Sequence, residues 1–258
     1  MLTNVVQKKF ETLQGDCLLA AALMIYLGQF THQYREEYVN RWFHWIRHKS
    51  SIKISEYFDF IKLFGDKMQI QKWVLNKLPS DTFSISNALM IEMTTQIQSI
   101  IIDPQYQANI WLKQNSRDDD SLLTITFHNP KFLQLISASI KFGKKTLCEN
   151  AGENIDKALY PLFNKSMLRT DGKSRFINLQ GASEEIDSNF KLYVTTEYQN
   201  PMFQSDIAVY TNFINFTITK EGLEAQLLSV IVVEKLYAIE REFVELKTKA
   251  LDCIIRLD

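Results

Sequence analysis

The chain has 258 residues, of which 46% are hydrophobic and 23% charged, and its net charge is -1. That balance belongs to a globular chain with a real core, and it excludes the basic footprint of a nucleic-acid or anionic-membrane binder. Three cysteines, Cys17, Cys148 and Cys253, lie too far apart for a disulfide framework or a zinc site, so the expected compartment is a reducing one.

The first region is helical. Val6, Phe10, Leu13, Cys17, Ala20, Met24 and Leu27 follow 4-3 spacing and predict one apolar seam along a helix, which Gly28 weakens or ends. Its most apolar run, Cys17 to Leu27, is too short for a bilayer, which needs about 20 residues. Glu11 and Asp16 spoil it as a signal peptide, so a buried helix is expected. A second helix is predicted from Thr31 to Ile46, with Tyr34, Tyr38, Trp42 and Trp45 at helical spacing and assigned to core packing. His44 and His48 share one face of it. No Cys, Asp or Glu nearby completes a metal site, so they read as partly exposed histidines.

The middle region alternates. Strands are predicted at Ser99 to Asp103, Leu122 to Phe127, Lys145 to Glu149, Asn189 to Thr195 and Asn212 to Ile218. Helices are predicted at Gln107 to Lys113 and Lys131 to Phe142. This order implies a three-layer α/β fold with a mainly parallel sheet. Asp118, Asp119 and Asp120 read as a solvated turn. Lys144 and Lys145 after Gly143 lack the further glycines of a phosphate site. After Gly222 comes one long helix, in which Val232, Leu236, Ile239, Phe243, Leu246, Ala250, Cys253 and Leu257 keep a heptad seam with charged flanks. Periodicity alone serves a coiled coil and a helix packed on its own domain equally well.

In a P-loop protein the first strand leads into G-x-x-x-x-G-K-[ST], whose backbone curls around phosphate while Lys neutralises charge and Ser or Thr holds magnesium. Here the strand leads into Asp103, Pro104, Gln105, Tyr106, Gln107, Ala108, Asn109 and Ile110. Asp103 takes the place of the first glycine, and Pro104 removes an N–H donor. Ala108 replaces the second glycine, Asn109 the lysine and Ile110 the magnesium ligand. Charge-assisted contacts are worth about 1.5–3 kcal/mol each, so losing several weakens nucleotide binding by orders of magnitude. At the acidic strand end, Glu149 stands where the magnesium aspartate belongs and Asn150 where the general base belongs; an amide cannot take a proton from water. The site is therefore expected to be inactive, without a catalytic residue, metal or cofactor.

At these residues the chain resembles the fifth AAA+ module of dynein heavy chains. Leu78 to Asn87 is similar to the family's LPxDxFSIxN, and Ile102 to Trp111 to its IDPQxQANxW. Glu149-Asn150 with Gly152-Glu153, Tyr193 to Thr196 with Asn200-Pro201, and Asn215-Phe216 with Gly222 to Leu228 match further signatures. The departures are Gln98-Ser99-Ile100 for RWPL, Ala88-Leu89 for Gly-Ile, Cys148 for Leu and Asn154 for Glu.

The resemblance implies a P-loop NTPase-like AAA+ core at 61–222, a helical lead-in at 1–60 made of the stalk end and the module's entry helices, and a C-terminal heptad helix at 223–258 that starts a buttress. It implies a non-hydrolysing module of an ATP-driven microtubule motor, relaying ring rearrangement to the microtubule-binding stalk. Its partners would be the neighbouring AAA+ modules and the stalk of the same heavy chain, and indirectly microtubules and dynein intermediate and light chains. It implies the cytoplasm and cytoskeleton, with the cilium axoneme favoured. The alternatives are a working ATPase with an atypical loop and a stand-alone dynein-like coiled-coil interaction protein.

Overall fold

The computed structural model describes residues 2–94, 98–116, 122–155, 157–164, 169–171, 174–179 and 181–255. The chain enters through helix α1 (Leu2–Ala22), a π-helical turn (Leu23–Leu27) and helix α2 (His32–Lys49). Three helices follow: α3 (Phe60–Phe64), α4 (Lys67–Leu75) and α5 (Thr82–Met93). Then come strand β1 (Gln98–Ile102), helix α6 (Gln107–Asn115), strand β2 (Leu122–Thr126), helix α7 (Phe132–Phe142) and strand β3 (Lys145–Glu149). The short helix α8 (Tyr160–Phe163) precedes strands β4 (Arg169–Asp171), β5 (Ser174–Leu179) and β6 (Ala182–Ile186). Strand β7 (Lys191–Thr196), the short helix α9 (Ser205–Ala208), strand β8 (Thr211–Asn215) and helix α10 (Lys220–Ile255) complete the order.

The central sheet is five-stranded in the order β2-β3-β7-β1-β8, and every pairing in it is parallel. Its strands alternate between two buried faces, as the pleat requires. Ile125, Cys148, Val194 and Ile100 stand in register on one face, against α7, α8 and β5. Leu147, Tyr193, Ile101 and Ile214 face the other side, against α5, α6 and the entry helices. Burial pushes the Cys148 thiol up to about 12 and makes it an apolar filler. The three layers expected from the strand–helix alternation are present.

Three expectations change. First, helices α3 to α5 occupy a stretch for which the sequence predicts no element. Each opens on an aspartate whose carboxylate accepts a backbone N–H: Asp59 from Lys62, Asp66 from Met68 and Asp81 from Ser84. Second, β4, β5 and β6 form a separate antiparallel sheet against α7. Third, the apolar stripes of the entry helices are largely solvent-facing. Tyr34 and Trp45 are 55% and 60% exposed, so of the aromatic stripe of α2 Trp42 alone packs against the core. Tyr38 stacks with Phe30 and meets Trp42 edge-on, and Arg35 and Ile46 take the fully buried positions.

In α1 the seam fails at Phe10, Leu13 and Cys17, all exposed, and holds at Ala20 and Leu27. At the π turn Leu23 is buried beside Met24, which is half-buried against the core, and Leu19 is buried one turn before. By length and composition the window Phe10–Leu27 suffices to cross a membrane. Here one face of it docks on the core, and the buried Asp16 accepts from the Ser55 N–H and hydroxyl. His44 and His48 are exposed and stack on each other.

Helix α10 leaves the core after its first turns. Val232, Leu236, Ile239 and Leu246 are exposed, and so are Leu227, Leu228, Ile231 and Tyr237 around them. Among the described residues this helix is therefore not packed along its seam on its own domain. The side chains of Val6, Phe243, Ala250 and Cys253, the whole of Leu257, and Asp118, Asp119 and Asp120 lie outside the described residues.

Candidate functional site: a filled phosphate cradle

The carboxyl end of β1 hands the chain to α6 through Asp103, Pro104, Gln105 and Tyr106. Tyr106 turns it with a left-handed backbone, φ 58°, which is uncommon for a residue with a side chain. The turn aims the first N–H groups of α6 back at the strand end. In a P-loop those groups, with the helix dipole behind them, hold phosphate. Here they hold Asp103. Its Oδ1 accepts from the Gln107 N–H at 2.8 Å and its Oδ2 from the Asn109 N–H at 2.9 Å. Its own N–H donates to Thr196 O on β7, which fixes the carboxylate in place. Asp103 is 1% exposed, so it plugs the cradle from inside. Burial pushes its carboxyl up to about 6, against the N–H groups of Asn109, Ala108 and Gln107 that pull it down. The sequence places a repelling carboxylate at this point; the fold makes that carboxylate the occupant.

The other loop positions are turned away from phosphate chemistry. Asn109 is buried, and its Oδ1 accepts from Thr195 Oγ1 at 3.1 Å. Ala108 is fully buried, and Ile110 is 49% exposed on the outer side of α6. Gln105 Oε1 accepts from the Ile218 N–H at 3.4 Å, and Gln107 Oε1 from Gln226 Nε2 at 3.4 Å, so both glutamines tie the loop to the root of α10.

The second checkpoint lies at the end of β3. Glu149 pairs with Lys113 of α6 at 2.6 Å. Its charge is thus matched within the chain. Asn150 bends the backbone with φ 59°, and its Oδ1 lies 3.5 Å from the Tyr106 hydroxyl, which also hydrogen-bonds to Glu197. Beside it opens a cleft of about 650 Å³ lined by Phe127, His128, Asn150, Asn154, Glu197 and Tyr198, with Ala151 and Gly152. None of its described walls is Lys or Arg, so polyphosphate entering there meets Glu197 and no fixed cation. Lys144 and Lys145 begin β3 and so stand at the opposite edge of the sheet from the cradle.

The structure thus brings Asp103, Gln107 and Asn109 into one cluster, and Asn150 and Tyr106 into its neighbour. Lys113, Thr195 and Glu197 join from α6, β7 and the segment after it. Sequence reasoning passed over these three, since each meets its partner only through the tertiary fold.

The profile of the ATP-binding dynein motor region family matches residues 71–257. The chain is 35% identical over 256 residues to dynein axonemal heavy chain 11 of Sus scrofa, covering 97% of this chain and 6% of that protein. It is 35% identical over 242 residues to dynein axonemal heavy chain 10 of Homo sapiens, covering 93% of this chain and 5% of that protein. It is 33% identical over 228 residues to the dynein alpha chain of the flagellar outer arm of Chlamydomonas reinhardtii, covering 88% of this chain and 5% of that protein. The chain therefore spans only a small fraction of the length of these relatives.

Proposed function

The chain belongs to the ATP-binding dynein motor region family, and on that premise we propose that it is the fifth AAA+ module of a dynein heavy chain, serving as a structural relay that neither binds nor hydrolyses nucleotide. The observation that carries this reading is the Asp103 carboxylate seated on the N–H groups of Gln107 and Asn109. A bound phosphate would need those same donors. Asn109 and Asn150 support the reading, since the first has no cation to offer and the second cannot act as a base.

On this reading 1–60 holds the stalk end and the entry helices, 61–222 is the AAA+ core and 223–258 begins the buttress. The exposed apolar residues of α10, Val232, Leu236, Ile239 and Leu246, suit a helix that packs on a partner beyond its own core. The module would pass ring rearrangement to the microtubule-binding stalk, with neighbouring AAA+ modules and the stalk as direct partners. Microtubules and the intermediate and light chains would be reached indirectly. The relatives' names, axonemal and flagellar, favour the axoneme of a cilium as its location.

Titration calorimetry with magnesium ATP and ADP tests the reading. The expected result is no heat of binding up to about millimolar nucleotide, where the free energy of association falls to about 4 kcal/mol. Micromolar binding, or phosphate release above that of a buffer control, would refute it.

A further inference from the structure

Arg35, in the first turn of α2, is 4% exposed and among the described residues has no carboxylate partner. Its guanidinium instead joins a turn, the middle of a helix and the end of a strand. Nε donates to Phe30 O at 3.0 Å and Nη2 to Gly28 O at 2.5 Å, both in the turn between α1 and α2. Nη1 donates to Asn87 Oδ1 of α5 at 2.6 Å, and Nη2 also lies 3.5 Å from Asn215 O, the last residue of β8. The Phe83 ring closes the face of the guanidinium, 4.3 Å from Cζ. Burial pulls the group down to about 9, so it keeps its charge at neutral pH at a desolvation cost.

The partners are themselves tied together. Asn87 Nδ2 donates to Asn215 O at 2.8 Å. The Asn215 N–H donates to Gly28 O at 2.8 Å, and Asn215 Nδ2 to Gln29 O at 3.2 Å. Gly28 packs so close to β8 that a Cβ there would meet Phe213 O at 2.4 Å. On the outgoing side Asn215 Oδ1 accepts from the Thr217 N–H at 2.9 Å, and α10 starts at Lys220. A Cβ on Gly222 in the first turn of α10 would lie 3.1 Å from Oδ2 of Asp81, the residue that caps α5. The incoming helix pair and the outgoing helix thus meet at one node on the edge of the sheet.

We infer that Arg35, Asn87 and Asn215 form a joint that fastens the α1–α2 hairpin to the root of α10, so that a displacement of either is carried to the other through α5 and β8. Arg35 is here a positioning residue. Its fork of donors reaches four acceptors, and a lysine ammonium on a flexible stem cannot hold the same directions. The joint rests on the proposed function only for what such a displacement does in a motor.

Residue-resolved hydrogen exchange on the 258-residue chain tests it. Asn87→Ala removes the middle of the joint and leaves Arg35 in place; Arg35→Lys keeps the charge and loses the fork. Lys62→Ala, which touches only the exposed pair with Asp59, is the control. In both joint variants the amides of Arg35, Asn215 and Leu223 are expected to exchange at least about tenfold faster together, while those of β3 and β7 stay within about twofold of wild type. Acceleration at Arg35 alone overturns the inference, since the helices would then be independent. No acceleration, or equal acceleration through β3 and β7, overturns it too, because the joint would then be idle or merely part of global stability. Asn87→Ala decides the matter where Arg35→Lys does not fold. Nucleotide takes no part in the measurement, so failure here and failure of the non-hydrolysing reading are separate results.

Discussion

If the Asp103 carboxylate fills the phosphate cradle, removing it should reopen the cradle to an anion. Asp103→Ala leaves the Gln107 and Asn109 N–H groups without the acceptor oxygens that now lie at 2.8 and 2.9 Å. Two charge-assisted hydrogen bonds at about 1.5–3 kcal/mol each are lost. Against that, the variant is relieved of a buried carboxylate whose pKa stands at about 6 rather than 3.8. That relief is worth about 3 kcal/mol at 1.36 kcal/mol per pH unit. The net expectation is a loss of about 0–3 kcal/mol at neutral pH. The anion then supplies the second half of the test. Inorganic phosphate at ten times its dissociation constant returns about 1.4 kcal/mol to a protein that binds it only when folded. For a chain of this size that is a rise of roughly 2–4 °C in Tm. Thermal unfolding of both proteins, in phosphate and in chloride of matched ionic strength, provides the comparison, since phosphate also stabilises proteins through exclusion from their surface. The Asp103→Ala protein should gain more than wild type. Equal gains in both would refute the idea that Asp103 occupies the anion site.

The same carboxyl sets a pH dependence. Its folded pKa is raised, so its contribution is full below pH 3.8 and is lost as pH rises through about 6. Asp103→Asn should flatten the decline in stability between those values, measured by denaturant unfolding across that range. Restoring the missing lysine should not restore function: Asn109 faces Thr195 in the buried interior, so Asn109→Lys is expected to bind no nucleotide by calorimetry and to lose stability. Lys77 closes α4 with a left-handed backbone, φ 73°, while its N–H donates to Val74 O and that of Leu78 to Trp73 O. Glycine prefers that position, so Lys77→Gly should stabilise the chain by about 1 kcal/mol in urea unfolding.

The strand–helix alternation of the core was legible because its signals are local. Ser99-Ile100-Ile101-Ile102 and its counterparts are short apolar runs, and a parallel sheet covered on both faces demands them. Helix α5 escaped the same reasoning. Residues from Phe83 to Ile91 are nearly all buried, so the helix has no polar side and no period to detect. Its aspartate cap at Asp81, like those at Asp59 and Asp66, was the available signal. Spacing placed Tyr34, Tyr38, Trp42 and Trp45 on a helix but was silent about what covers them, since a stripe facing a partner and a stripe facing the core look alike. At the cradle, the missing glycines and lysine could be read directly. That Asp103 turns inward depends on the left-handed Tyr106, and that Glu149 meets Lys113 depends on the packing of α6 beside β3; neither contact is local in sequence.

The cradle and the joint use the same device with opposite charges. In one, a carboxylate of the chain satisfies the open N–H end of a helix; in the other, a guanidinium satisfies the carbonyls of a turn while the Asn87 amide it holds satisfies the carbonyl end of a strand. A ligand shifts a protein only by binding two conformations unequally. With its cradle occupied by its own side chain, the proposed module has no such ligand at that site and no nucleotide-dependent equilibrium of its own. What it can still do is hold two helices at a set angle. Gln105 and Gln107 reach from the cradle loop to Ile218 and Gln226, so the filled cradle buttresses the same helix root that Arg35 and Asn87 grip from the other side. On the proposed reading the loop serves as a second fastening for α10, and stiffness at that root is what the proposed relay between ring and stalk would require.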